Sequence, residues 1–457
     1  MLYFGKPFAQ IVCKNHGEIA FRAHPSPRDS YVLIRFRVEN HRSIYHEQEF
    51  SLVASSLSEH PDALVRAERY DLNLLRVAAI YGANASGKST LFDALFFMKT
   101  AVEQSHRKWA PTAGVPRTPF ALDPKAAEAP SLFVLDLLLD GIRYEYGFVV
   151  DSSRVLEEWL YAYPKGRKQE WFTRDASQAK EFTFSRHLQG ENRAISSLTR
   201  PNSLFLSAAA QNNHLMLATI HKAITSQLIV VNEQTRAVLE ITAVQLCLDD
   251  TVRKAIQTLL EAADLGISNI ELVEEDVATH VSRHNLQLDE SNLEVLFPYS
   301  PRAGAGVQLR HRTASGTEEV VLPFEQESQG TRAMFSLAGA LIAVLHLGGV
   351  LVVDELDRSL HPHLASKIVA MFNSPALNPR NAQLIFNTHD TNLLDTDILR
   401  RDQIWFTEKG DDGATRLFPL TDFRARKYEN LRRGYLQGRY GAVPAVGTPD
   451  LRRAAEG

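Results

Sequence analysis

Three short apolar runs, far apart in the chain, have the pattern of buried β-strands. They are Leu74–Tyr81, the Val-Leu-Val-Val stretch that opens Val350–Leu356, and the run that starts at Gln383. Unbroken apolar runs of this length are typical of parallel strands that are covered on both faces. Thr90–Val102 follows the first run with apolar residues at helical spacing. The pattern predicts a mainly parallel sheet with helices packed on it.

Other segments have different periods. Leu132–Leu139 and Arg143–Val150 alternate around Asp140-Gly141, which predicts a β-hairpin. His214–Ala263 has apolar residues three to four apart and predicts two or three amphipathic helices. Heptads are not sustained there, so we expect no long coiled coil. Whether these helices contact a partner or pack on their own domain stays open at this point.

The first apolar run leads into a phosphate-binding motif. Residues 82–89 fit G-x-x-x-x-G-K-[ST] at every specified position. Two glycines let backbone N–H groups turn toward phosphate oxygens, the lysine adds a positive charge, and the serine offers a hydroxyl to Mg²⁺. A helix N-terminus directly after the loop adds further N–H groups. The motif predicts a nucleoside triphosphate site made of Gly82, Ala83, Asn84, Ala85, Ser86, Gly87, Lys88, Ser89 and Thr90.

Two carboxylates follow the second apolar run, in the pattern of a Walker B element. Asp354 and Glu355 come at the carboxyl end of the predicted strand, which is where ligands bind in parallel sheets. We expect Asp354 to hold Mg²⁺ together with Ser89, and Glu355 to polarise the attacking water. The alternative is a structural strand that ends in a solvated acidic turn. His389 lies just past the end of the third run.

A short polar motif precedes the second strand. Ser328-Gln329-Gly330 stands before the helical stretch Ala333–Leu347. Taken alone, this tripeptide would pass for an ordinary helix N-cap. Arg332 is a candidate for the cation that stabilises the transition state, and an ordinary surface arginine is the equal alternative. Residues Thr313–Thr317 predict a polar turn before this helix.

Composition narrows the class of protein. A chain of 457 residues exceeds one typical domain, and its formal charge of −4 gives no overall basic surface for nucleic acid. Residues 421–457 carry eight Lys/Arg against four Asp/Glu, so this tail either contacts nucleic acid or an acidic partner, or is simply solvated. Cys13 and Cys247 form no metal or disulfide pattern, which favours a cytoplasmic protein. No stretch reaches the ~18 apolar residues of a membrane span.

The order of these motifs resembles the ABC-type ATPases of the OLD-like and SMC-like class. Among these, the chain is most similar to the stand-alone AAA-domain ATPases of prokaryotic defence loci, the RloA-like group. The similarity extends from about Val32 to Pro444. It is carried by Phe36–Ile44, Tyr81–Thr90, Asp354–Pro362, Asp402–Phe406 and Gly434–Pro444.

The resemblance implies an α/β fold: an ABC-type P-loop ATPase head with a mainly parallel core sheet, an antiparallel β subdomain and a helical insertion. It implies ATP and Mg²⁺ as cofactors and His389 as a γ-phosphate sensor. It also implies that Ser328, Gln329 and Gly330 form a signature that acts on the γ-phosphate of a second protomer. Further candidates are Asn40, Arg42 and Gln211, the last as a Mg²⁺-contacting glutamine or as the simple start of a helix.

Motif spacing divides the chain into five parts. Residues 1–31 form an N-terminal extension, or the coding start lies too early and Val32 marks the true one, which we favour. Two ATPase lobes, 32–210 and 301–420, enclose a mainly helical insertion at 211–300. A basic segment at 421–457 ends the chain. Within it, glycines and a proline predict an ordered loop at Gly434–Pro444, which docks on an effector or packs on its own sheet.

Three functions of different classes fit the motifs. The resemblance favours an ATP-hydrolysing homodimer or higher oligomer that controls a separately encoded effector, preferably a nuclease, in anti-phage defence. A DNA-tethering or DNA-repair ATPase of the SMC kind is the alternative, disfavoured because no long coiled coil is expected. An unrelated P-loop kinase or GTPase is the third, and the Ser-Gln-Gly helix and His389 stand against it. Nucleic-acid binding stays open in the first of these functions.

Overall fold

The computed structural model describes residues 11–14, 18–21, 31–263, 265–274, 305–313, 319–358, 360–426 and 429–443. Several sequence predictions extend outside these ranges. The N-terminal extension 1–31 and the basic segment 421–457 are described only in part, and the last residue of the predicted loop Gly434–Pro444 lies outside. The polar turn Thr313–Thr317 lies outside them except for its first residue. The predicted insertion at 211–300 is described as far as residue 274, with one position missing.

The described ranges contain strands and helices throughout. In chain order the strands are β1 (Ile11–Lys14), β2 (Glu18–Phe21), β3 (Tyr31–Glu39), β4 (Gln48–Ser51), β5 (Leu64–Ala67), β6 (Leu72–Leu75), β7 (Val77–Gly82), β8 (Ser131–Leu139), β9 (Ile142–Val150), β10 (Val155–Ala162), β11 (Gln169–Asp175), β12 (Phe182–Phe184), β13 (Leu228–Val231), β14 (Ile267–Glu274), β15 (Ala305–Arg312), β16 (Glu319–Pro323), β17 (Val350–Val353), β18 (Gln383–Asn387), β19 (Ile404–Lys409) and β20 (Thr415–Pro419). The α-helices are α1 (Lys88–Gln104), α2 (Pro124–Glu128), α3 (Asn192–Leu198), α4 (Phe205–Gln211), α5 (Leu215–Gln227), α6 (Arg236–Leu246), α7 (Asp250–Ala262), α8 (Gln329–Leu347), α9 (Pro362–Asn373) and α10 (Leu431–Leu436).

Six strands form the central sheet, in the order β13-β17-β18-β7-β19-β20. The first five run parallel to one another, and β20 closes one edge as the antiparallel partner of β19. Every residue of β7, β17 and β18 is buried. The second and third apolar runs of the sequence and the part of the first run from Val77 onward therefore lie side by side in the middle of the sheet. Leu74 and Leu75, which the first run included, belong to β6 in a separate two-stranded sheet. The fold is α/β with a mainly parallel core, as the sequence predicts.

Alternate residues of the central strands belong to two different cores. Val350 and Val352 of β17 pack in a cluster with α1, α4, α5 and the antiparallel sheet. Leu351 and Val353 belong to a second cluster, formed with α6, α7, α8 and α9. Side chains alternate between the two faces of a strand, so a continuous apolar run fills both cores at once. The central sheet is the middle layer of three.

Seven strands form the antiparallel layer, in the order β12-β11-β10-β9-β8-β3-β4. The predicted hairpin is confirmed, because β8 and β9 pair across a turn at Asp140 and Gly141. Both turn residues have positive φ, 52° and 71°, which is the backbone conformation that a two-residue hairpin needs. β1 and β2 pair with each other within the predicted N-terminal extension.

One fully buried side chain joins the two sheets. Gln383, the first residue of β18, accepts a hydrogen bond from the Leu33 N–H at 2.7 Å. Its amide nitrogen donates to the carbonyl oxygens of Leu33 and Leu75 at 3.0 and 2.9 Å. The pairing of β3 with β8 shifts register between Leu33 and Arg35, so the glutamine satisfies backbone groups of β3 beside this irregularity. The antiparallel layer is thereby fixed against the parallel one.

The middle segment differs from the predicted insertion. Its three helices, α5, α6 and α7, are present as the periodicity predicts. Between them, however, Leu228–Val231 forms β13, which pairs in parallel with β17 along its whole length. The segment therefore completes the edge of the ATPase sheet and packs on its own domain. A four-residue apolar run between helical patterns cannot be assigned from its period alone.

By length and composition, α8 is the one helix in the described ranges that could cross a membrane. The sequence prediction that no stretch comes near this length was therefore too strict. About two thirds of the helix is buried inside the fold, at 67%. It packs on α6 and α7 and contributes Phe335, Leu341 and Leu345 to the core. These contacts are those of the central helix of a globular domain.

The C-terminal segment also differs from the prediction. Leu431–Leu436 is a short helix, α10, that includes Gly434. Glycine is required at this position, because a Cβ added to Gly434 would lie 2.6 Å from the Tyr440 hydroxyl. This contact accounts for a glycine within the helix. Tyr435 and Tyr440 are buried, and both rings stack on Phe406 of β19 with centroids 5.7 Å apart. Of the two alternatives, packing on the domain's own sheet is the one observed.

Candidate nucleotide-binding site

The phosphate loop connects β7 to α1. Its backbone turns through positive φ at Ala85 (61°) and at Gly87 (103°), and the first helical residue is Lys88. The lysine ammonium donates to the carbonyl oxygens of Gly82 and Ala83 at 2.9 and 3.0 Å, so it folds back over its own loop. Burial lowers the pKa of Lys88, and the nearby carboxylates of the second motif oppose this shift. A buried cation over a loop of N–H groups is suited to a phosphate chain.

The Walker B carboxylate meets the phosphate loop across the sheet. The Ser89 hydroxyl donates to Asp354 Oδ1 at 2.9 Å, although the two residues are 265 positions apart. β17 and β7 are separated only by β18, and their carboxyl ends lie at the same edge. The expected meeting of these two side chains is therefore present in the structure.

The pair fits a magnesium ion. Adjacent ligands of an octahedral ion with bonds of about 2.1 Å lie about 3 Å apart, and Ser89 Oγ and Asp354 Oδ1 are 2.9 Å apart. Within the described ranges, no group of three or more His, Cys, Asp or Glu side chains could hold a metal alone. Mg²⁺ usually keeps several waters and binds substrate phosphates as well, so two protein oxygens are a typical contribution.

Glu355 follows with an unusual backbone. Its φ is 58°, in the left-handed region that few non-glycine residues occupy. Its N–H donates to Asn387 Oδ1 at 2.6 Å, which holds this conformation. The carboxylate is partly exposed and lies 3.3 Å from the Arg358 guanidinium, which also contacts Glu233 at 3.1 Å. The side chain thus reaches solvent at the edge where water would attack.

Asn387 is a site residue that sequence reasoning missed. It is the last residue of β18 and is fully buried. Its amide nitrogen donates to Asp354 Oδ1 at 2.5 Å while its oxygen accepts from the Glu355 N–H. One carboxamide therefore orients both acidic residues. The available signal was a polar residue at the carboxyl end of an otherwise apolar strand.

His389 lies two residues beyond β18, on the same edge. Its backbone N–H donates to Asp357 Oδ2 at 3.2 Å, and its side chain is exposed. Two carboxylate oxygens are buried without a hydrogen-bond partner among the described residues: Oδ1 of this same Asp357, and Oδ2 of Asp390, the residue after His389. Such buried oxygens need a donor or a cation. Asp357 and Asp390 were also missed by the sequence analysis.

The signature residues stand at the start of α8. Ser328 is the N-cap and accepts a hydrogen bond from the Thr331 N–H at 3.0 Å. Ser328, Gln329 and Gly330 are all exposed. One to two turns further on, Ala333 and Ser336 line a cleft together with Asp354 and Glu355. The helix N-terminus with its free N–H groups is therefore presented to solvent on the side of the molecule that carries the Walker B cleft.

Arg332 is paired with a carboxylate of its own chain, and its role as a transition-state cation stays a prediction. Its guanidinium forms an ion pair with the buried carboxylate of Glu240 on α6, with Nη2 and Oε1 3.0 Å apart. The same group lies over the Phe324 ring, 5.6 Å from its centroid. A buried carboxylate needs such a partner, so this arginine is bound to α6.

The remaining candidates have separate outcomes. Asn40 is buried, and its side chain is fully engaged: it donates to the carbonyl oxygens of Ala126 and Ala129 and accepts from the Phe120 N–H. Its amide thus bonds backbone groups of a buried turn, and its role at the nucleotide site stays a prediction. Arg42 is exposed and contacts Asp93 of α1 at 2.6 Å, one turn beyond the phosphate loop.

Gln211 ends α4 and is exposed. It does not start a helix, as the alternative assignment had it. In the described part of the chain, no hydrogen bond connects its side chain to the phosphate loop or to Asp354. Its role as a magnesium contact stays a prediction.

Comparison with known proteins agrees with this geometry. Residues 77–395 match the family described as "AAA domain, putative AbiEii toxin, Type IV TA system". The chain belongs to this AAA-domain family. Its matched range begins with β7 and ends beyond His389, so it contains both Walker motifs and the signature. The fold is that of an ABC-type P-loop ATPase head. No curated protein sequence matches the chain.

Similar solved structures are heads of SMC proteins. The SMC head domain from Thermotoga maritima has 13% identity and a TM-score of 0.37, and the match covers 85% of this chain and 98% of that one. An SMC head bound to the C-terminal winged-helix domain of ScpA has 13% identity and a TM-score of 0.40, with 84% and 96% covered. The family membership of the chain depends on the match of residues 77–395 and on the geometry of the site, not on these likenesses.

Proposed function

We propose that this protein binds ATP with Mg²⁺ and hydrolyses it to ADP and phosphate. One observation carries the proposal: the hydroxyl of Ser89 and the carboxylate of Asp354 meet at 2.9 Å across the sheet. A phosphate loop alone would bind many phosphorylated ligands. A serine of the loop paired with a Walker B aspartate is the arrangement that holds Mg²⁺ on a nucleoside triphosphate.

Each residue has a role that its position supports. Lys88 leaves the carbonyl oxygens of Gly82 and Ala83 and contacts the β/γ-phosphates instead. Ser89 and Asp354 would hold Mg²⁺, which would supply positive charge to neutralise the phosphate oxygens during hydrolysis. Glu355 accepts a hydrogen bond from the attacking water, and His389 contacts the γ-phosphate from the neighbouring strand end. Asn387 holds the Asp354 carboxylate through its amide nitrogen and the Glu355 backbone through its amide oxygen.

The test compares two variants. Lys88→Ala removes the buried cation, so we expect it to abolish productive ATP binding. Glu355→Gln keeps the shape of the site but removes the acceptor for water, so it should bind ATP and hydrolyse it ~10²-fold or more slowly. Binding is measured by titration with ATP and Mg²⁺, and hydrolysis by phosphate release. Hydrolysis by Glu355→Gln at the wild-type rate would remove Glu355 from this role.

The proposal extends to a dimer that closes on ATP. Three exposed signature residues at the N-terminus of a long helix support it. Their N–H groups are suited to bind an anion, and the anion would be the γ-phosphate of a nucleotide held by the phosphate loop of a second protomer. In this arrangement Ser328 of one protomer completes the γ-phosphate site of the other. The protein then works as a homodimer or a higher oligomer.

We further propose that nucleotide state controls a separately encoded effector, preferably a nuclease, in prokaryotic anti-phage defence. The family description, which names a toxin of a toxin–antitoxin system, supports a two-component arrangement. Co-expression of Glu355→Gln with the products of neighbouring genes, followed by affinity purification, tests it. Capture of a nuclease in the ATP-bound state is the expected result. Retention of DNA alone would favour the alternative, a DNA-tethering or DNA-repair ATPase of the SMC kind.

A further inference from the structure

The hairpin β19–β20 lies directly against the phosphate loop, although it comes more than 300 positions later in the chain. β19 pairs in parallel with β7, and Thr407 is the register partner of Gly82. Thr407 and Thr415, one on each strand of the hairpin, are both almost completely buried, at 1% and 3% exposure. Two buried hydroxyls beside a phosphate loop need partners, and both find them in or around the loop.

Each glycine of the phosphate motif faces one of these threonines. A Cβ added to Gly82 would lie 2.4 Å from Thr407 Oγ1, and a Cβ added to Gly87 would lie 2.0 Å from Thr415 Oγ1. Both distances are far inside van der Waals contact. Both glycines are therefore required by the close approach of the hairpin, and Gly87 is required also by its backbone conformation, with a φ of 103°.

The hydroxyls also bond to the loop. Thr415 Oγ1 donates to the Ser86 carbonyl oxygen at 2.9 Å, and Thr407 Oγ1 lies 2.6 Å from Ser86 Oγ. The Thr415 N–H donates to the Ser43 carbonyl oxygen at 2.7 Å. Ser86 is thus held through its backbone and its side chain by two different strands of one hairpin.

The direction of each hydrogen bond in this network follows from the single proton that each hydroxyl can donate. Thr415 has one hydroxyl proton, which it donates to Ser86, so its 2.8 Å contact with Ser43 Oγ must be one in which Ser43 donates. Ser43 then accepts from Thr90 Oγ1, also at 2.8 Å. A directed chain runs from Thr90 through Ser43 and Thr415 to the loop carbonyl. It joins three distant parts of the sequence around the site.

We propose that Thr415, assisted by Thr407, is a positioning residue for ATP: the β19–β20 hairpin is a rigid support that keeps the phosphate loop in its binding conformation. This inference rests on the proposed function. Thr415 itself touches the loop and its glycine, and it acts on the nucleotide only through them. Removing its hydroxyl leaves the Ser86 carbonyl oxygen without its donor and leaves Ser43 with Thr90 alone, so the inward-turned conformation of the loop loses one of its stabilising hydrogen bonds.

The experiment uses three variants of the full chain. Thr415→Val keeps the side-chain volume and removes the hydroxyl, while Thr415→Ser keeps the hydroxyl. Thr199→Val is the matched control, because its hydroxyl also bonds a backbone carbonyl, that of Ile195, outside the site. Measured quantities are the Kd for ATP with Mg²⁺, KM and kcat for hydrolysis, and the melting temperature.

We expect Thr415→Val to raise Kd and KM by about tenfold, with kcat at saturating ATP changed less than about threefold. Thr415→Ser should bind ATP nearly as the wild type does, and Thr199→Val should match the wild type in Kd and KM. Wild-type affinity in Thr415→Val would overturn the positioning role alone. The role would also be overturned if the valine and serine variants lost the same ATP affinity and if that loss paralleled a fall in melting temperature. Such a result would show that Thr415 contributes packing only. Failure of the wild-type protein to bind ATP would overturn the proposed function, and this role with it.

Discussion

Two helix N-termini of this protein differ in how much of their surroundings the chain itself supplies. The N-terminus of α1 is enclosed. Lys88 is buried, Ser89 bonds Asp354, and the β19–β20 hairpin bonds the phosphate loop. The N-terminus of α8 is open: Ser328 caps its own helix, and the next two residues face solvent. Both present free N–H groups with a positive dipole end.

The difference shows what each terminus needs. The first is a finished half-site, because a single chain supplies its cation, hydroxyl, carboxylate and supporting contacts. The second presents N–H groups that can bind an anion, but its own chain does not enclose it. A second protomer that brings a bound nucleotide would supply them. The comparison therefore predicts that variants of the two termini fail in different ways.

The largest effect is expected when both termini are tested together. Ser328→Arg should lower hydrolysis by ~10²-fold or more, because the guanidinium blocks the place of the γ-phosphate, while ATP binding to the single chain stays near the wild-type value. Mixing this variant with Lys88→Ala should restore one working site per heterodimer. Phosphate release of each variant and of the mixture is the measurement.

The control for this test is Asp249→Ala, which removes the N-cap of α7. Loss of a cap costs about 1 kcal/mol in stability, and hydrolysis should remain. If the mixture shows no restored hydrolysis and ATP leaves the oligomeric state unchanged, the N-terminus of α8 does not act on the nucleotide of a second protomer.

A smaller effect is expected from the residue that orders the enclosed half-site. Asn387→Ala removes the carboxamide that bonds both Asp354 and the Glu355 N–H. Groups that orient a metal ligand typically contribute roughly 10- to 100-fold, so hydrolysis should fall by that factor while the Kd for ATP changes less. Asn212→Ala is the control, since its amide bonds the Ala208 carbonyl oxygen of α4 and no site residue among those that the structure describes. Unchanged hydrolysis in Asn387→Ala would contradict the orienting role.

The smallest effect on catalysis is expected in the C-terminal segment, which packs behind the phosphate loop. Tyr440→Ala removes a ring that is 1% exposed and stacks on Phe406, so it should destabilise the fold by about 3 kcal/mol. Arg439→Ala should change stability by less than about 1 kcal/mol, because the arginine of the pair with Glu429 is largely exposed, at 61%. Thermal unfolding measures both. A normal melting temperature with lost effector binding would instead assign the segment to docking.

The sequence predicted the central strands and the hairpin well because their signals are local. A run such as Val350–Val353 is apolar at every position, and Asp140-Gly141 supplies the positive φ of a tight turn. β13 was missed because its four apolar residues sit between helical patterns and have no period of their own. The short helix α10 was missed because its glycine is required by a contact with Tyr440, which local sequence does not show.

The candidate site was predicted in part for the same reason. Walker A and Walker B residues follow fixed spacings, so Lys88, Ser89 and Asp354 could be named. Asn40 and Arg332 were named from motif position, yet the structure binds one into a buried turn and the other to Glu240. Side chains of these types serve structure and ligands equally, and only their neighbours decide which.

The sequence by itself determined the chemistry of the phosphate loop and the strands that carry it, because side-chain type and short-range spacing suffice for both. Tertiary structure decided which distant groups meet. The order of strands in the sheet brings Asp354 to Ser89, and it brings the Asn387 amide to the Asp354 carboxylate and the Glu355 N–H. The pairing of β19 with β7 places Thr407 and Thr415 against the loop glycines. Such contacts depend on how strands are ordered across the whole sheet, and no local pattern encodes that order.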